Sequence, residues 1–219
     1  MRKGILMKKI LFMGDSITDA QRDRDSDAYM GAGYATMVAG ELGYKEPYAY
    51  EFMNRGISGN RIIDLHARIR KDMINLQPDY ISILIGVNDV WHEYTRQNGV
   101  AVDKFEVLYD MMIQELQRDI PGVKIMILEP FVLPGSKTRT EEEKPGRWEH
   151  FSSETPLRAA VAKRIAEKYN LVFVHLQERF DQVNQDAPEG YWLRDGVHPT
   201  ASGHNLIKQA WLEGFEKLR

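Results

Sequence analysis

The chain has 219 residues, 43% hydrophobic and 28% charged, which is enough apolar material for one well-cored domain and too much for a disordered segment. Its 29 Lys and Arg against 32 Asp and Glu leave a net charge of −3, so no basic field is available to hold a nucleic-acid partner. Cysteine is missing from the sequence, which excludes disulfides, thiolate metal sites and cysteine catalysis and suits a cytoplasmic location.

The opening Met1-Arg2-Lys3-Gly4-Ile5-Leu6-Met7 is positively charged, but Lys8 and Lys9 end its apolar stretch short of a signal h-region or a membrane span. From there, apolar runs of strand length alternate with longer segments of helical period, the pattern of βαβ units around a parallel sheet. The first predicted strand, 9–13, runs into Gly14-Asp15-Ser16-Ile17-Thr18. Gly14 and Asp15 permit a sharp turn that would present Ser16 at the strand end, where open parallel sheets bind ligands; an ordinary turn would use the same residues. A helix is predicted over 34–42 and a second strand over 49–54, followed by Asn54-Arg55-Gly56-Ile57-Ser58-Gly59-Asn60. Two glycines ahead of a helix N-terminus leave backbone N–H groups free to face an anion or a developing oxyanion, whereas a plain connection would use Asn60 as the N-cap.

The next predicted helix, 62–76, leads to the strand 80–85 and then to Gly86-Val87-Asn88-Asp89. An asparagine at that strand end can aim its amide into a cleft, a neutral donor suited to charge that appears only in a transition state, although Asn-Asp is also a common turn pair. A helix over 103–118 and a strand over 124–128 precede residues 135–155, a charged stretch holding Pro145, Gly146, Trp148 and Phe151. This stretch reads as a solvated excursion, a lid or a subunit contact. A helix over 157–168, a strand over 171–175 and a final helix over 201–217 complete five strands and five helices. The strands at 81–85 and 125–128 are apolar nearly throughout, as strands covered on both faces are. The fold class is therefore α/β, a three-layer α/β/α sandwich on a five-stranded parallel sheet, with 1–219 as a single domain.

Ahead of the last helix stands Asp195-Gly196-Val197-His198-Pro199. Asp and His three residues apart in one turn can set a carboxylate against imidazole Nδ1 and leave Nε2 to take a proton from a serine. The other histidines, His66, His92, His150, His175 and His204, have no such partner in a comparable turn and read as packing, surface or supporting residues.

Taken in order, Gly14-Asp15-Ser16-Ile17-Thr18, Gly59, Asn88 and Asp195-Gly196-Val197-His198 resemble the four signature blocks of the SGNH (GDSL-type) hydrolases, a resemblance that spans nearly the whole chain. It implies a flavodoxin-like sandwich and serine esterase chemistry without a metal or any other cofactor. Carried over, Ser16 would be the nucleophile, His198 the base and Asp195 its orienting acid. The oxyanion hole would be formed by Ser16 N–H, Gly59 N–H and the Asn88 amide. Asp15 and Asp89 would hold their turns by hydrogen bonding. Gly31-Ala32-Gly33-Tyr34, Gly56-Ile57-Ser58-Gly59-Asn60 and Gly86-Val87-Asn88-Asp89-Val90-Trp91 are similar to stretches of bacterial carbohydrate acetylesterases, acetylxylan esterases among them. That resemblance implies a small-molecule or oligosaccharide ester as substrate, with lysophospholipase, lipase or thioesterase activity as the alternative within the family. Trp91, three residues after Asn88, and Trp192, three before Asp195, are the expected substrate-side rings.

Competing classes find less support. A nucleotide-binding module lacks the third glycine of a dinucleotide fingerprint, since Thr36 stands there, and no P-loop is present. A non-catalytic carbohydrate binder could use Trp91, Trp148, Tyr191 and Trp192, but would not need Ser16, Asp195 and His198. A metal hydrolase finds Asp195, His198 and His204 close together, yet the zincin-like string at His92-Glu93 fails at Arg96. Thr18 excludes the Gly-x-Ser-x-Gly elbow. Assembly of several copies is left open by the sequence.

Overall fold

The computed structural model describes residues 7–219; residues 1–6, most of the N-terminal run read above, lie outside them. Five strands, β1 (Lys8–Gly14), β2 (Tyr50–Asn54), β3 (Tyr80–Leu84), β4 (Lys124–Leu128) and β5 (Val172–Val174), form one parallel sheet in the order β2-β1-β3-β4-β5. Leu11 pairs with Met53 on one side and Ile81 on the other, and Ile81 pairs in turn with Ile125.

The apolar runs in β1, β3 and β4 follow from burial on both faces, because side chains alternate along a strand. Ile10, Phe12, Met126 and Leu128 point to one layer, where they meet Tyr34 of α2 (Tyr34–Lys45) and Trp211 and Phe215 of α9 (Ala201–Leu218). Leu11, Met13, Ile81, Ile83 and Ile127 point to the other, against Phe105, Tyr109 and Met112 of α6 (Val102–Asp119) and Ile165 of α7 (Arg147–Lys168). Each such side chain contributes about 1.5–3 kcal/mol through burial, which makes the sheet a stiff platform for the loops at its carboxyl end.

The described residues hold nine helices where five were expected. The predicted helix over 62–76 is divided into α3 (Ile62–Ala67), α4 (Ile69–Asp72) and a 3₁₀ turn at Ile74–Leu76. At the break Arg68 leaves helical geometry with φ −113° and ψ 14°. Its guanidinium donates to the Arg55 carbonyl at 2.8 Å, the Asn60 side-chain oxygen at 2.8 Å and the Gly14 carbonyl at 3.3 Å. Arg61, not Asn60, caps α3. Three further helices lie in segments read as connections: α1 (Ser16–Asp19), α5 (Val87–Arg96) and α8 (Gln177–Asn184). Among the described residues no helix is long and apolar enough to cross a membrane.

The strand order places the site. The chain leaves β1 for the outer strand β2 and returns to β3 on the opposite side of β1, so the loops after β1 and β3 diverge and open a crevice at the sheet's carboxyl end.

Candidate active site

Ser16 enters this crevice because β1 stops at Gly14 and α1 begins two residues later. The carboxylate of Asp15 caps the helix, accepting the Ile17 N–H at 2.9 Å. Ser16 N–H is then among the first-turn donors that no helical carbonyl can satisfy. From the other end of the chain, His198 Nε2 comes to 3.0 Å from Ser16 Oγ. The opposite nitrogen, Nδ1, lies 2.8 Å from Asp195 Oδ2. An ionised carboxylate only accepts, so Nδ1 carries the proton and donates to Asp195, and Nε2 accepts from the serine hydroxyl.

Asp195 wraps its own turn. Its Oδ1 accepts the Val197 N–H at 3.1 Å and the His198 N–H at 2.8 Å. Partial burial pushes the Asp195 carboxyl up, but the bonds from the His198 ring and from these backbone groups outweigh it and hold the pKa at about 2.

The loop after β2 lies beside this group: Ser58 lines the same cavity as Ser16 and His198, and Gly59 follows it at φ +82°. Asn88, in the first turn of α5, donates its side-chain N–H to the Asn60 carbonyl at 3.1 Å, which joins the exit of β3 to that loop. Asp89 is fully buried and accepts the Ile62 N–H at 3.1 and 3.3 Å, so it braces the start of α3 behind Gly59. Burial pushes its carboxyl well above the usual range.

Several residues holding these loops carry no signal that motif reading could use. Asp19 is buried and accepts both the N–H of Ser58, at 2.9 Å, and its hydroxyl, at 2.8 Å, while Arg24 pairs with it at 2.6 Å. The Asn54 amide donates to the carbonyls of Thr18 and Met30 at 2.6 and 2.8 Å, and its oxygen accepts the Gly56 N–H at 2.9 Å.

Residues 135–155 prove to be neither a free excursion nor a separate flap. Lys137 N–H donates to the Asp195 carbonyl and Leu133 N–H to the Gly196 carbonyl, both at 2.9 Å. A side chain at Gly135 would meet the Gly196 nitrogen at 2.4 Å, so only glycine lets the two segments approach this closely. Buried Arg147 donates to the carbonyls of Arg139, at 2.9 Å, and Lys137, at 3.3 Å. From Arg147 onward the stretch is the start of α7, which continues through Pro156. Fully buried Phe151 stands edge-on to Trp91 with ring centres 5.7 Å apart, and Trp91 in turn lies 6.0 Å from the His198 ring.

Neither expected ring lines the cavity of Ser16 and His198: Trp91 lines a separate pocket with Tyr94 and Arg147, and Trp192 turns away. Its indole N–H donates to the Val183 carbonyl at 2.9 Å and its ring packs on Tyr191 and the core. Among the described residues no three His, Asp or Glu side chains gather as metal ligands would.

Burial raises the Asp15 carboxyl from 3.8 to about 6. Between those values the unfolded chain is ionised while the folded one keeps its proton, so stability falls as pH rises through this window and the cost stays in full above it. Asp15→Asn keeps an acceptor for Ile17. It should therefore be more stable than the parent near neutral pH, by on the order of 2 kcal/mol, with the gain gone at about pH 4. Urea unfolding at the two pH values measures this, and an Asn variant less stable at neutral pH would contradict it.

The model of the GDSL-like lipase/acylhydrolase family matches residues 12–206. An acetylxylan esterase of Geobacillus stearothermophilus is 34% identical over 226 residues, covering 97% of this chain and 96% of the relative. The solved structure of an acetylxylan esterase from the same organism superposes with a TM-score of 0.81 at 32% identity, over 97% of this chain and 96% of the other. A structure from Parabacteroides merdae, described as a GDSL-like lipase, gives a TM-score of 0.85 at 35% identity over 98% and 99%. The Geobacillus esterase has also been solved in two forms described as catalytic mutants, one with a serine and one with an aspartate replaced by alanine.

Proposed function

The chain belongs to the GDSL-like lipase/acylhydrolase family and is a carboxylic ester hydrolase, and from that premise we propose that it removes acetyl groups from acetylated carbohydrates, with Ser16, His198 and Asp195 as its triad. The observation that carries the mechanism is the continuous chain of contacts from Ser16 Oγ to His198, 3.0 Å, and from His198 to Asp195, 2.8 Å. Reading 1–219 as one hydrolase domain is supported by the extent of the family match.

In this mechanism Ser16 Oγ attacks the ester carbonyl as its proton passes to His198 Nε2, and Asp195 stabilises the imidazolium that results. In this reading the charge on the carbonyl oxygen is received by Ser16 N–H, Gly59 N–H and the Asn88 amide, fixed donors that need little reorganisation during the reaction. His198 returns its proton to the departing alcohol, leaving an acetyl ester on Ser16. Water, deprotonated by the same imidazole, then releases acetate and restores the serine.

The acetyl preference is supported by the Geobacillus relative and by the half-buried Trp91 ring beside His198, backed by buried Phe151. Across p-nitrophenyl acetate, butyrate and octanoate, kcat/KM should fall with chain length, acetyl exceeding octanoyl by about tenfold or more. A rise toward octanoyl would replace this reading with a lipase, lysophospholipase or thioesterase one. If acetyl wins, acetate release from acetylated xylo-oligosaccharides is the next measurement.

A further inference from the structure

The cavity shared by Ser16 and His198 has a volume of about 550 Å³ and reaches past both residues to His204, in the first turn of α9. His204 is only 8% exposed and its ring is held on three sides. Tyr34 N–H donates to its Nδ1 at 3.2 Å. The Tyr34 ring stacks on it with centres 6.5 Å apart. Gly33 passes so near that an added Cβ would lie 3.1 Å from the imidazole.

An Nδ1 that accepts from a backbone N–H cannot carry the proton, so in the neutral ring Nε2 does. Burial, with Arg194 and His198 nearby, pushes the pKa of His204 down to about 4, and the ring is neutral at physiological pH. Nε2 has no hydrogen-bond partner among the described residues and, unlike the sealed Nε2 of His66, it keeps access to solvent where His204 lines the cavity. The result is an oriented, uncharged N–H at the wall of the reaction cavity, awaiting an acceptor.

The acetyl half of the substrate cannot supply one. Its single carbonyl oxygen is taken by the oxyanion donors and the remainder is a methyl group. The alcohol half, which must lie within reach of His198 to receive its proton, is what remains. We propose that His204 is a specificity-determining residue whose Nε2–H donates to a hydroxyl or ring oxygen of the bound alcohol, so that the enzyme selects acetyl esters of polyhydroxylated rings over those of apolar alcohols. The inference rests on Ser16 and His198 acting as nucleophile and base.

Two ester pairs test it, each matched in shape and differing in acceptors: monoacetylated methyl xyloside against cyclohexyl acetate, and 2-methoxyethyl acetate against butyl acetate. The quantity read is the ratio of kcat/KM within each pair, for the parent and for His204→Phe. The parent should favour the oxygen-bearing partner, and His204→Phe should cut the xyloside ratio by about ten- to a hundredfold, chiefly through KM. His204→Gln, which can place an N–H close to the same point, should recover part of it. If the Phe variant does not fold, His204→Met fills the space without a donor.

A merely structural role would lower both members of a pair together and leave the ratio unchanged, and that result overturns the proposal. A parent with no preference for the xyloside ester would instead condemn the carbohydrate reading. The ether pair then decides His204 alone: a ratio that favours the ether and collapses in the variant keeps the assignment, and any other result removes it.

Discussion

Ser16→Ala is expected to lower kcat by about 10⁴- to 10⁶-fold while leaving the protein folded. The serine hydroxyl lines the cavity with an imidazole already in contact, His198 Nε2 at 3.0 Å. Its removal would leave the proposed oxyanion donors to account for whatever rate remains above the uncatalysed one. The fold should tolerate the change, since the half-buried side chain hydrogen-bonds only to His198 among the described residues and belongs to neither apolar core layer. Turnover of p-nitrophenyl acetate together with a thermal melt gives both readings. A variant with the parent's melting temperature and near-parental kcat would remove Ser16 from the mechanism.

The second large effect is expected at Asn88. In the proposed mechanism its amide meets a negative charge only after the carbonyl has been attacked, so Asn88→Ala should reduce kcat by about 10²- to 10³-fold with little change in KM. Asn88 also donates to the Asn60 carbonyl, and losing this tie loosens the loop that carries Gly59. Both effects fall on the transition state. An unchanged kcat with a raised KM would make Asn88 a ground-state binding residue and transfer the oxyanion role to the two backbone N–H groups.

The sheet was legible because strands covered on both faces are written as unbroken apolar runs, and β4 was predicted to the residue. What local pattern missed was fixed by distant contacts. The break at Arg68 follows from its bonds to Arg55, Asn60 and Gly14, none of which a 62–76 periodicity can show. The helix expected over 157–168 is only the later part of α7, which runs through Pro156. α5 was a different kind of miss: Val87, Val90, Trp91 and Tyr94 recur at helical spacing, although no helix was expected directly after the strand 80–85. At the site, motif order singled out Ser16, His198 and Asp195, which stand in contact, but not the groups that hold the surrounding loops. Asp19 and Asn54 resemble any other polar residue until the fold brings Ser58 and Met30 to them. Trp192 was chosen for its nearness in sequence to Asp195, and nearness along the chain does not fix which way a ring turns.

Ser16 and His198 stand 182 positions apart in sequence yet share a hydrogen bond, and the turn that bears Asp195 is clasped by residues 133–137 from the middle of the chain. If Ser16 and His198 act as proposed, esterase turnover reports on long-range closure of the fold. In the proposed mechanism the nucleophile and its base therefore meet only after segments far apart in sequence have closed on each other. During refolding, activity should return after helical signal does, because the closure that creates it is the most non-local contact in the crevice and long closures come late.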